Sequence, residues 1–207
     1  MKHKHRTFII SVALVIITVA LSGVAKASWG YEGTAAYRDG VTPIIDACHG
    51  AIVSQEMGSS SNITLCRFAN VPGPTVGPSA STNYSGFMGG NNTYLGNYAV
   101  YVPNRDDVIT YAVSLMGRSY VIPSFLSLLE TYYPESHYSG KTYHSSSDIA
   151  KVRCDGLVEW AYEYGGYKVM QINSSVWDIS TVAALRYHNS LNNMWPSTQK
   201  NVMTRLP

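Results

Sequence analysis

The segment Cys154-Asp155-Gly156-Leu157-Val158-Glu159-Trp160-Ala161-Tyr162-Glu163-Tyr164-Gly165-Gly166 sets the strongest constraint on the fold. It places Leu157, Val158, Ala161 and Tyr164 on one helical face with Cys154, and the glycine pair supplies a stop. A helix of that pattern must bury its apolar stripe against another layer. Its thiol then lies at the helix start, where unpaired backbone N–H groups favour negative charge. A cysteine in that position is expected to have a depressed pKa and to be a nucleophile at neutral pH. The same N–H groups suit the oxyanion of a tetrahedral intermediate. The spacing equally fits a small apolar cysteine that merely opens a core helix.

The first 27 of the 207 residues read as an export leader: a basic start (Lys2, Lys4, Arg6), an apolar run Phe8–Leu21, and Ala25-Lys26-Ala27 as a small-x-small cleavage site. The run is shorter than the ~20 residues of a membrane span. Four of the 15 basic residues lie in this leader and none of the 13 acidic ones does, so the formal charge falls from +2 to −2 on its removal. No basic face remains to bind nucleic acid or an anionic membrane. The expectation is a secreted or periplasmic product of 180 residues, enough for one ordinary core, without stable membrane insertion.

Residues 28–47 are polar and mixed. His49–Val53 reads as a strand, Gly58–Asn62 as a turn, and Ile63–Val71 as the returning strand, ended by Pro72-Gly73-Pro74. Residues 72–96 read as a long surface loop, and Asn97–Pro103 as a third strand. Asp106 or Asp107 would cap a helix through Met116, stopped by Gly117, and Pro123 would open another through about Tyr132. After the Cys154 helix come a short strand, Tyr167–Ile172, and a last helix capped by Ser180 through about Asn192. One α+β domain over 28–207 is predicted.

Three cysteines leave one unpaired if two are oxidised. Cys48 and Cys66 flank the turn-rich stretch, 18 positions apart, and would meet across a hairpin. Such a disulfide would stabilise the fold by ~3 kcal/mol in the chain-entropy model. The alternative keeps all three reduced.

"RCDGLVEWAYE" (Arg153–Glu163) resembles the nucleophile helix of the NlpC-type papain-fold cysteine peptidases. The downstream His188 lies in helical "RYHNSLNN", whereas upstream "HGAIVS" (His49–Ser54) resembles the histidine strand of that family. This order is that of its circularly permuted branch, which holds the YiiX-like proteins and the lecithin retinol acyltransferase relatives. "NYAVYVPN" (Asn97–Asn104) and "YAVSLMGRSY" (Tyr111–Tyr120) are similar to further YiiX-like elements, so the likeness spans roughly residues 48–170. It implies a papain-like fold, with an antiparallel sheet packed against the nucleophile-bearing helix.

Within that resemblance Cys154 is the nucleophile and His49 its base, with His137, His144 and His188 as competitors. Asn70 on the return strand is the candidate that orients the imidazole. A Cys48–Cys66 disulfide would demand another register and is in tension with Asn70. Asp155 and Tyr120 are candidates for substrate binding, Asp155 toward a cationic group. Asp155 would also oppose thiolate formation by like charge. No metal-ligand spacing, phosphate loop or dinucleotide fingerprint is present, and no cofactor is implied. The expected function is an exported cysteine hydrolase of amide or peptide bonds, with peptidoglycan peptides as the implied substrate. The alternatives are a thiol acyltransferase or lipid amidase, and a non-catalytic secreted binding domain.

Overall fold

A computed structural model describes residues 31–40, 48–56, 62–73, 76–121, 127–133, 135–170, 175–189 and 195–207. The proposed leader, 1–27, lies outside them. Nine strands are described: β1 (Ala35–Asp39), β2 (Cys48–Gln55), β3 (Arg67–Asn70), β4 (Ala80–Asn83), β5 (Tyr94–Ala99), β6 (Ser119–Tyr120), β7 (Leu129–Thr131), β8 (Ile149–Val152) and β9 (Thr204–Arg205). The helices are α1 (Tyr84–Met88), α2 (Arg105–Ser114), α3 (Cys154–Glu163), α4 (Val182–Asn189) and α5 (Pro196–Val202).

The fold is α+β. Six strands form an antiparallel sheet in the order β4-β3-β2-β1-β5-β9. A second sheet, β6-β8-β7, joins one parallel and one antiparallel pair. Side chains alternate across the main sheet. Ala35, Tyr37, Ile52 and Ala69 belong to one core with Leu157, Val158 and Ala161 of α3 and with Val108 and Ala112 of α2. Ala36, Ala51, Val53 and Phe68 form the opposite core with Phe87 and Met88 of α1. Both faces of the central strands are therefore covered. Helix α3 is buried along its whole length, including Glu159 and Glu163.

Several boundaries differ from the sequence expectation. The stretch 28–47 contains β1, whose Ala-Ala-Tyr-Arg-Asp shows no polar–apolar alternation because both of its faces are packed. The supposed loop 72–96 holds β4 and α1. Asn83 caps α1 by accepting from Gly86 N at 2.9 Å, and Gly89 ends it at φ +60°. The returning strand is interrupted, with a 3-10 turn at Ile63–Leu65 before β3. The third strand runs Tyr94–Ala99 instead of continuing to Pro103. Asn104, not Asp106 or Asp107, caps α2.

Leu129–Thr131 pairs with β8 and is a strand, not the end of a helix from Pro123; residues 122–126 are not among those described. Tyr167–Met170 is not a strand. Tyr167 N reaches Tyr162 O and Gly166 N reaches Glu163 O, with Gly166 at φ +84°, which closes α3 by a Schellman-type turn. Helix α4 is capped by Thr181, whose hydroxyl accepts from Ala184 N at 3.2 Å, while Ser180 bonds Asp178.

Helix α5, which sequence periodicity did not reveal, locks α3 to the sheet. Gln199 accepts from the Tyr37 hydroxyl at 2.7 Å and donates to Glu159 Oε1 at 2.7 Å and to Asp155 O at 3.0 Å. Burial raises the Glu159 carboxyl to about 7, and the adjoining Glu163 is also raised, first by burial and then by Glu159. A carboxyl whose folded pKa is raised costs stability as pH climbs above its unfolded value. Glu159→Gln is therefore expected to gain stability relative to wild type as pH goes from about 4.5 to 8, measured by urea unfolding.

Gly156 is the second lock. A Cβ there would lie 2.2 Å from the carbonyl oxygen of Leu128, which also accepts from Arg153 N at 3.0 Å. Gly156→Ala is expected to destabilise the protein by ~1–3 kcal/mol through overpacking, read as a lowered denaturation midpoint.

Candidate active site

The site begins with the β2–β3 ladder. Its register sets Ala51 opposite Asn70, so Asn70 lies diagonally from His49 on the same sheet face. The strict hairpin expected from the sequence put position 70 opposite 49; the observed partner of Asn70 is Ala51, two residues away, and the ladder also carries an irregularity between Val53 and Gln55. The diagonal suits the pair: His49 Nε2 lies 2.7 Å from Asn70 Oδ1. That oxygen only accepts, so Nε2 carries the proton and Nδ1 is left as the basic nitrogen. Both residues are buried, and the imidazole packs 5.8 Å from the Phe87 ring centre.

Cys154 opens α3 from the other side of β2. The backbone N–H groups of Gly50, the neighbour of His49, and of Asp155 both act on its sulfur and favour the thiolate. Gly50 permits the approach: a Cβ there would lie 3.1 Å from the Tyr37 ring and 3.5 Å from Val158. The strand that carries the imidazole is thus the strand against which the thiol packs. No hydrogen bond joins ring and sulfur among the described residues. His49 shares the Ala51 and Phe87 face of β2, whereas Cys154 packs with α3 on the Ile52 face, so ring and sulfur start from opposite faces of the sheet.

Electrostatics overturns one expectation. The helix start does not depress the thiol; burial raises Cys154 to about 12, with the Asp155 charge adding to the rise and the two N–H groups only partly offsetting it. His49 is lowered to about 4, first by burial and then by the Arg38 guanidinium, while the Asn70 bond favours the charged ring. The resting couple is therefore a neutral thiol and a neutral imidazole.

Asp155 is not open to a cationic ligand. Arg153 holds it in a two-point ion pair, Nε to Oδ1 and Nη2 to Oδ2 at 2.6 Å each, and the carboxylate is buried. The Arg153 guanidinium stacks 5.1 Å from the Trp195 ring. Tyr120, half-buried on β6, lies within reach of this group: its hydroxyl pKa is raised by burial and then by negative charge at Cys154 and Asp155.

None of the three cysteines is in a disulfide. Cys48 and Cys66 lie beyond opposite ends of the paired β2–β3 segment. Bridging requires Cα atoms within ~7 Å. The competing histidines sit elsewhere. His144 packs edge-on against Tyr138, His188 is buried beside Trp177, and His137 is exposed on a 3-10 turn. A cavity of about 770 Å³ between Tyr138 and Arg186 shares no lining residue with the thiol site.

Arg38 is the site residue that sequence reading missed. It stands opposite His49 on the β1–β2 ladder and is almost wholly buried. Its one signal was a lone basic residue in a segment without strand periodicity. Comparison with known proteins found no matching family model, curated protein or solved structure.

His49 is expected to titrate near pH 4 by carbon-13 NMR, and its stabilising contribution, complete above about pH 6.5, fades as pH falls toward 4. Alkylation of Cys154 by iodoacetamide should then be nearly flat from pH 5 to 8. His49→Gln should restore the roughly tenfold rise per pH unit of an unassisted thiol. A steep wild-type profile would remove His49 as the base.

Proposed function

We propose that the protein is a cysteine hydrolase of amide or peptide bonds, built on a permuted papain-like arrangement of the NlpC type. The observation that carries this reading is the His49–Asn70 hydrogen bond on the strand whose next residue, Gly50, directs its N–H at the Cys154 sulfur. A thiol, a base and a group fixing the base's tautomer are the three parts such chemistry needs.

In this reading the His49 imidazole turns from the Phe87 face around the end of β2 toward Cys154, and its Nδ1 removes the thiol proton as sulfur attacks the substrate carbonyl carbon. The C–N bond breaks, the proton passes to the departing amine, and a thioester remains on Cys154. Water, deprotonated by the same imidazole, then attacks the thioester, which releases the acid and restores the thiol. Proton transfer by a positioned base contributes ~10²–10⁴-fold. The neutral resting couple fits general-base activation at the moment of attack. Peptidoglycan peptides are the substrate class that the family likeness suggests, and export through the 1–27 leader belongs to the same proposal.

Cys154→Ala is expected to abolish release of amines from wall peptides, and Asn70→Ala to lower kcat by about 10–100-fold with a smaller change in KM. The assay is chromatography of digested peptides. Unchanged hydrolysis by Cys154→Ala would sink the proposal, whereas transfer of acyl chains from lipid amides would redirect it to the acyltransferase reading.

A further inference from the structure

The thiol is sealed from solvent. Cys154 is 5 % exposed, and its chain neighbours Arg153 and Asp155 are buried with it. A reacting carbon must come within bonding distance of the sulfur, so a covering element has to move first. One segment, residues 195–207, grips the residues on both sides of Cys154. Trp195 lies against Arg153, with the guanidinium carbon 5.1 Å from the ring centre, and Gln199 of α5 donates to Asp155 O at 3.0 Å. The same segment holds the strand side of the thiol. Tyr37, whose ring borders Gly50, donates its hydroxyl to Gln199 Oε1 at 2.7 Å, and its oxygen lies 3.5 Å from the Met203 sulfur. Helix α5 packs against both β2 and α3.

Apart from these contacts, the segment is lightly held. Helix α5 has seven residues, well below the ~12–15 at which an isolated helix is even marginal in water. Strand β9 adds two residue pairs, Tyr98–Arg205 and Ala99–Thr204, at the edge of the main sheet. Asn201, Val202, Thr204 and Arg205 are exposed. By contrast, β2 is paired on both sides, and α3 is buried along its length. Local opening starts where few contacts are buried, so this segment can lift while β2 and α3 stay folded.

We propose that residues 195–207 form a cap over Cys154, latched by Gln199, and that the thiol becomes accessible when the cap lifts from the start of α3. The cap stands on packing alone; its role in admitting an amide substrate rests on the hydrolase reading. The latch is one side-chain amide that bonds Tyr37 on the sheet and Glu159 and Asp155 on α3. Its three bonds break together when α5 moves, and Trp195 leaves Arg153 in the same motion.

A disulfide between β5 and β9 tests this by tying the cap to the sheet. Leu206 N donates to Asn97 O at 2.8 Å, so the facing pair Tyr98–Arg205 is of the non-hydrogen-bonded kind. Cα atoms in such a pair stand about 4.5 Å apart, within disulfide range. In the variant Tyr98→Cys/Arg205→Cys, air oxidation closes the bridge, and dithiothreitol, removed before labelling, opens it. Peptide mapping verifies the bridge and the free thiol of Cys154. Iodoacetamide labelling of the Cys154 peptide, read by mass spectrometry, is expected to be about tenfold slower in the bridged than in the reduced form of the same variant. Equal rates overturn the inference.

The wild-type protein decides the matter even if the variant fails to fold. Cys154 labelling in excess iodoacetamide and hydrogen exchange of the α5 amides are followed through urea concentrations below the unfolding transition. Both rates are expected to rise with one shared slope, well below that of global unfolding, because the slope scales with the surface exposed. A Cys154 slope equal to that of global unfolding overturns the cap. If the bridged form labels slowly yet neither form releases amines from wall peptides, the hydrolase reading fails and the cap stands. If both forms label equally and amine release still requires Cys154, the cap fails and the hydrolase reading stands.

Discussion

The arrangement depends on how closely the start of one helix can approach the backbone of one strand. Cys154 meets β2 at Gly50, where a side chain would crowd the Tyr37 ring, and α3 settles against the loop before β7 because position 156 has no side chain. A Cβ at position 50 would press on the Tyr37 ring at 3.1 Å and meet Val158 at ordinary contact distance, whereas one at position 156 would force the helix to withdraw. The sulfur would then lose the N–H of Gly50, and with it the proximity to the residue that carries the imidazole. Gln199 reinforces the seat by bonding the sheet through Tyr37 and the helix through Glu159 and Asp155.

Close packing also explains the electrostatics. Helix N-termini favour anions by a few tenths to about 1 kcal/mol at exposed sites. Removing a thiolate from water costs more, and at Cys154 that cost dominates. The same dryness keeps His49 neutral, so thiol and imidazole both rest uncharged. Asp155 shows the same principle. As a sequence feature it was an acid next to a nucleophile, open to a cationic ligand. In the folded protein its charge is already met by Arg153, which leaves it a role in holding the first turn of α3.

How far the site could be read in advance follows from how each residue signals its place. The α3 helix declares itself by a 3.6-residue period across Leu157, Val158 and Ala161, and its buried face is as expected. The pairing of the strands that carry His49 and Asn70 was legible because two apolar runs flank a turn cluster, whereas the choice of His49 among the histidines rested on the family resemblance. The shift near Val53 was not legible, since an irregular residue leaves no mark on composition. Strand β1 was hidden for another reason. With both faces covered it has no polar–apolar alternation, and so Arg38 was overlooked. Leu129–Thr131 gave an ambiguous local pattern that pairing with β8 resolved.

Residue order alone therefore specified an α+β chain with a thiol at the head of a buried helix and an imidazole on an upstream strand. Local periodicity and turn residues suffice for that. Packing between distant segments decided the protonation of the couple, the burial of Asp155, the separation of Cys48 from Cys66, and the arrival of Arg38 opposite His49. Desolvation and ladder register are properties of neighbours in space, and no single stretch of chain encodes them.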